Sequence, residues 1–87
     1  MPFKIHELKT VQPYFFDVFL DKKKFEVRYN DRKFEKDDLL LLREFNPILL
    51  EYTGREILCE VTYLLDDSKY CKKGYVIMGI KILRKRG

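Results

Sequence analysis

The stretch Asp21-Lys22-Lys23-Lys24-Phe25-Glu26-Val27-Arg28-Tyr29 (DKKKFEVRY, residues 21–29) runs three lysines straight into strict alternation of apolar and charged residues. A period of two is that of a β-strand, in which successive side chains point to opposite faces. Phe25, Val27 and Tyr29 therefore share one face and Lys24, Glu26 and Arg28 the other, and the segment is expected as a half-buried strand. Upstream, Phe15, Phe16, Phe19 and Leu20 recur at helical spacing, with Asp17 and Asp21 on the opposite side. A helix thus precedes the strand, its aromatic stripe assigned to the core. Thr10 is placed to cap it, and Pro13 falls in its first turn, where a missing amide hydrogen costs little. Lys4 to Leu8 reads as a first strand.

Downstream, Asn30-Asp31-Arg32 and Lys36-Asp37-Asp38 read as turns on either side of a link containing Phe34. Leu39-Leu40-Leu41-Leu42 is apolar at both parities, as in a strand covered on both faces for part of its length. Asn46-Pro47 and Thr53-Gly54 bracket a connection whose Ile48, Leu49 and Leu50 are expected to pack over an open barrel end; an exposed partner or dimer contact is the sharper alternative. Glu56 to Leu65 and Tyr75 to Leu83 are further strands, and Gly79 inside the second marks a bend or a close backbone approach. At 87 residues the chain is one domain, 1–87, with one core. The class is α+β, mainly β: about five strands curled into a small barrel, with one N-terminal helix covering a cleft.

The formal net charge is +4, unevenly distributed. Lys22 to Lys33 holds six basic residues against Glu26 and Asp31, and the stretch from Lys72 to the end holds six with no acid, leaving the rest net acidic. Brought together, the two segments would form a basic face, with Arg84, Lys85 and Arg86 as a basic C-terminal tail. The first six residues contain no apolar run of signal-peptide length, and no later segment approaches the roughly 20 apolar residues of a membrane span. A cytoplasmic protein with no membrane association is the expectation. Cys59 lies at an apolar strand position and reads as a small buried hydrophobe, and Cys71, among lysines, as an ordinary loop cysteine. With His6 the only histidine and no paired cysteines, neither a metal site nor a cofactor is expected.

Read as Asp21-x-Lys23-x-x-Glu26-x-Arg28 between a helix and a strand, the opening stretch resembles the GxKxxExR signature of the ASCH domain, a branch of the PUA-like superfamily, with Asp21 in place of the glycine. The similarity extends through Asp38, Arg43-Glu44-Phe45, Tyr52-Thr53-Gly54-Arg55, Val61-Thr62-Tyr63 and Gly74 to Ile80. The resemblance implies a barrel whose Lys23, Glu26 and Arg28, with Lys24 beside them, line a basic cleft for RNA or a nucleotide-like ligand. Arg28 offers a planar fork for phosphate, Lys23 a mobile charge, and Glu26 an acceptor that holds Arg28. The plainer reading of the trio is a solvated strand face with a surface ion pair. One ASCH branch is an amidohydrolase on an acylated cytidine, which makes Lys23 a candidate base and Glu26 a candidate catalytic residue; Glu26 stands, however, where that branch has a threonine. A protein-interaction module built on Ile48 to Leu50 is a third reading. Tyr29, Tyr52, Tyr70 and Tyr75 are available to stack bases if exposed.

Overall fold

Six elements follow one another in the computed structural model, which describes residues 4–87: β1 (Ile5–Val11), α1 (Gln12–Phe19), β2 (Phe25–Tyr29), β3 (Leu39–Asn46), β4 (Glu51–Leu65) and β5 (Tyr75–Arg86). Met1 to Phe3, part of the segment searched for a leader, lie outside the described residues. The strands form one sheet in the order β1-β3-β4-β5-β2, in which β1 runs parallel to β3 and every other pairing is antiparallel. The chain is mainly β as expected, but the sheet curls into a half-barrel, and no backbone ladder closes it among the described residues.

Its two edges, β1 and β2, face each other across a seam bridged by side chains. Arg28 Nη2 donates to the Lys9 carbonyl at 3.1 Å, and Arg32 Nη1 to the Glu7 carbonyl at 2.6 Å. Arginines from the β2 side thus occupy acceptors that a neighbouring strand would otherwise have taken, which also blunts the β1 edge against pairing with another chain.

Inward side chains alternate along each strand: Leu8 on β1, Leu40 and Leu42 on β3, Ile57, Cys59 and Val61 on β4, Val76, Met78 and Ile80 on β5. Helix α1 contributes Phe15 and Val18, each fully buried and worth about 1.5–3 kcal/mol of transfer free energy. The stripe expected from the sequence is therefore rotated: Phe16 and Leu20 are exposed. An eight-residue helix buries two positions here, while cations cover part of the rest, with Arg55 5.8 Å from the Phe16 and Phe19 rings and Lys85 4.8 Å from Phe19. Thr10 is not the cap. It is the buried inward residue next to the end of β1, Val11 takes the N-cap position without a side-chain bond, and Pro13 sits in the first turn as expected.

The helix ends in a Schellman motif: the Lys22 amide bonds to the Asp17 carbonyl and the Asp21 amide to the Val18 carbonyl, both at 2.9 Å. This puts Asp21 in the left-handed region at φ 63°, a conformation that glycine adopts without strain. Asp21→Gly is expected to raise stability by about 0.5–1 kcal/mol, read as a higher urea midpoint at unchanged slope.

Three further differences bear on the site. β5 continues to Arg86, with Arg84 in register with Leu58 and Arg86 with Glu56, so the basic tail is a paired strand. β4 begins at Glu51, which places Thr53 and Gly54 inside it. The β3–β4 turn leaves Ile48, Leu49 and Leu50 exposed at 88%, 63% and 74%, and does not pack over the barrel end, because Asn46 Oδ1 accepts the Ile48 and Leu49 amides and holds the turn outward.

Candidate functional site

Strand β2 carries its charged residues inward. Glu26 is 2% exposed, whereas Phe25, Val27 and Tyr29 face solvent. The solvated-face reading is corrected by the pairing: Lys23 Nζ bonds Glu26 Oε2 at 2.8 Å, and Arg28 Nε bonds Oε1 at 3.1 Å. A carboxylate is costly to bury alone and tolerable when each oxygen meets a cation.

Arg28 also reaches Thr10 Oγ1 at 3.2 Å through the Nη2 that bridges to β1. Of its five N–H donors, three are committed to Glu26, Lys9 and Thr10, and the two on Nη1 have no acceptor among the described residues. The Lys23 ammonium lies 5.1 Å from the Phe25 ring and 5.9 Å from Tyr14, so its mobile charge is steadied by two aromatic faces as well as by Glu26.

These groups wall a hollow of about 210 Å³ in the seam, lined by Lys9, Thr10, Val11, Tyr14, Lys23, Glu26, Val27 and Arg28. A second, more apolar hollow of about 430 Å³ shares Tyr14 and Lys23 with it and adds Asp17, Lys22 and Phe25. The pair offers cationic donors on one side and exposed aromatic rings on the other. Lys23, Glu26 and Arg28 thus converge as expected. Lys24 does not join them. Its Nζ is exposed, 3.9 Å from Asp21, and it lines a different hollow with Lys81 and Lys85. The two basic segments meet there only in part, since Arg84 and Arg86 line a separate groove on the outer sheet face.

Sequence reading missed Lys9, Thr10 and Tyr14. The available signals were a threonine on the otherwise closed inward row of β1 and a tyrosine off the aromatic stripe; neither says that β1 lies opposite β2.

The remaining buried polar groups brace the frame. Asp38 accepts the Lys4 amide at 3.1 Å, the Glu35 amide at 3.0 Å and His6 Nε2 at 2.9 Å, tying the start of β1 to β3. Burial pushes the Asp38 carboxyl up, but these bonds and the His6 ring outweigh it and hold it below the usual range. Glu44 meets the Arg55 fork at 2.8 and 2.9 Å and Thr53 Oγ1 at 2.5 Å; Arg55 depresses its carboxyl, with burial opposing. Burial and the nearby Glu26 push the Cys59 thiol up to about 12, against the opposing effect of Lys23, so it remains a protonated core group and no nucleophile. Cys71 is the half-buried loop residue expected, its Sγ 3.3 Å from the Asp67 carbonyl. No cluster of potential metal ligands occurs among the described residues, and no helix there is long and apolar enough to cross a membrane.

The chain is similar to an uncharacterized 12.9 kDa protein in the GpA 3′ region of Escherichia phage P2, with 36% identity over 75 residues. The match covers 86% of this chain and 66% of the phage protein, so the chain spans somewhat less than two thirds of that relative's length. A family profile matches residues 5–80, from the first residue of β1 to the middle of β5, and with it the whole seam and its ionic trio. The chain therefore belongs to the family described as Domain of unknown function (DUF3850).

Proposed function

We propose that the seam hollow binds a phosphate-bearing, nucleotide-containing ligand, RNA foremost, and that the fold is a variant of the PUA-like ASCH architecture its signature resembles. The observation that carries this reading is the Arg28 fork, whose two Nη1 donors have no acceptor among the described residues and whose Nε is fixed by a buried carboxylate that also holds Lys23 beside the seam hollow. Glu26 fixes the fork, Arg28 meets phosphate oxygens, the exposed Lys9 ammonium joins it by swinging from the Phe45 ring, 4.6 Å away, and Tyr14 offers a ring for a base. Together with the adjoining hollow of about 430 Å³, the seam hollow takes one nucleotide unit of a longer ligand. A cytoplasmic setting fits that partner.

The amidohydrolase reading has weaker support. Lys23 Nζ, which would have to accept a proton, is bonded to Glu26, and both Glu26 oxygens are taken by cations.

Titration of labelled single-stranded and hairpin RNA by fluorescence anisotropy, at two salt concentrations, tests the proposal. Affinity is expected to fall with salt, and Lys9→Ala, which removes an exposed cation with no carboxylate partner among the described residues, is expected to reduce the salt slope by about 0.7 for a single strand. Arg28→Ala should weaken binding further. Absence of binding at low salt, or a slope indifferent to Lys9, overturns the reading. Release of free base from N4-acetylcytidine, lost in Lys23→Ala, would put the hydrolase in its place.

A further inference from the structure

The inward turn of the charged face leaves the other face of β2 outside, and registers fix what lies beside it. Phe25 pairs with Gly79, Val27 with Ile77 and Tyr29 with Tyr75 on β5. Across β5, a bulge between Val61 and Tyr63 brings Tyr63 opposite Gly79. Partners across an antiparallel ladder point the same way. Phe25, Gly79 and Tyr63 therefore form one row over three strands, and Tyr29 stands about 13 Å along β2 from Phe25.

Phe25, Tyr29 and Tyr63 are 46%, 60% and 66% exposed, unusual for rings on a sheet. Gly79 keeps the floor between two of them flat: a Cβ there would lie 3.2 Å from Thr62 Oγ1, close enough that Thr62 would have to give by a few tenths of an ångström. The surround is cationic. Lys23 Nζ lies 5.1 Å from the Phe25 ring and Lys72 Nζ 5.2 Å from Tyr75, while Lys24 and Lys81 are exposed nearby in sequence and register. Glu60, the carboxylate on the same face, is in register with Lys81. The rings flank an apolar row of Val27, Ile77 and Leu65, and the excess of ammonium groups at its margins complements bases joined by phosphates.

We infer that this outer face is a stacking platform for single-stranded nucleic acid, on which Phe25, Tyr29 and Tyr63 each take a base while Lys23, Lys72 and Lys81 meet the phosphates between them. The inference rests on the nucleic-acid reading of the seam, which it extends: Val27 lines the seam hollow and belongs to the outer row, so a strand anchored at Arg28 leaves past Val27 onto the platform.

The chain has no tryptophan, so its intrinsic emission is that of tyrosine, which stacked bases quench. Oligouridylate long enough to cross the face is expected to quench this emission and to bind at least about fivefold more weakly to Tyr29→Thr or Tyr63→Thr, β-branched replacements that keep strand propensity. 5′-UMP, which reaches only the seam, should bind the variants and the parent alike. If both variants bind oligouridylate as the parent does while Lys9→Ala weakens it, the platform falls and the seam site stands. If no variant differs, or nothing binds, both fall. A parent that is dimeric by light scattering, with monomeric variants of unchanged oligouridylate affinity, makes the face a contact between copies and overturns the platform.

Discussion

Glu26→Gln is expected to lower stability by about 3 kcal/mol, a fall of roughly 12–24 °C in Tm for a domain of this size. The carboxylate is buried and each oxygen serves a different cation. Glutamine keeps one acceptor and turns an N–H₂ group toward the second cation, so a balanced pair becomes a repulsive contact that the enclosed site cannot relax. Lys23 and Arg28 retain some access to water, which holds the loss to the lower end of the range for an orphaned buried charge. Urea unfolding of the parent, Glu26→Gln, Lys23→Met and the double variant gives a cycle. The expected coupling exceeds about 1 kcal/mol, and Lys23→Met alone should cost less than Glu26→Gln because Arg28 still holds the carboxylate. A loss below about 0.5 kcal/mol for Glu26→Gln would make the trio an ordinary surface pair, and the fixed Arg28 fork would lose its foundation.

That trio also shows what could be read from the chain alone. Alternation in DKKKFEVRY gave the strand and put Glu26 and Arg28 on one face, as the structure does. Which face is inward did not follow, because hydropathy favours burying Phe25, Val27 and Tyr29. The deciding partners are remote: Lys23 swings in from the turn, while Thr10 and the Lys9 carbonyl arrive on β1, which meets β2 only once the sheet has curled. The helix stripe was right for Phe15 and Phe19, which reach the core, and wrong for Phe16 and Leu20, which stay exposed, with Arg55 of β4 5.8 Å from the Phe16 ring. A helical period cannot register how a short helix turns its faces on a sheet. The element order, the inward rows of β3 to β5 and buried Cys59 were legible, since each depends on local alternation with turn residues between the strands.

A second large effect is expected in acid, and its direction follows from the frame's two depressed carboxyls. Asp38 and Glu44 sit below their ordinary values of 3.8 and 4.5 in the folded chain. Their contribution to stability is complete above those values, where folded and unfolded chains are both ionised. It is lost as pH falls through the lower folded values, because the unfolded chain takes up the protons first. A urea midpoint constant from pH 7 to about 5 should therefore drop steeply below about pH 4.5, beginning with Glu44. Amides identify the source, since an amide cannot ionise and presents a donor where a protonated carboxyl does. The amide introduced by Asp38→Asn would turn an N–H toward the Lys4 and Glu35 amides or toward His6, which all use Asp38 as an acceptor. Asp38→Asn is expected to cost about 3 kcal/mol at pH 7 and Glu44→Gln about 2 kcal/mol, the latter discounted because Arg55 is partly exposed. The double variant should show a shallower acid slope than the parent, and its curve should approach that of the parent at the acid end, once the parent has itself lost both charges. Parallel curves would place the acid sensitivity in other carboxylates and would mean that these two bonds contribute equally whether or not the groups are charged.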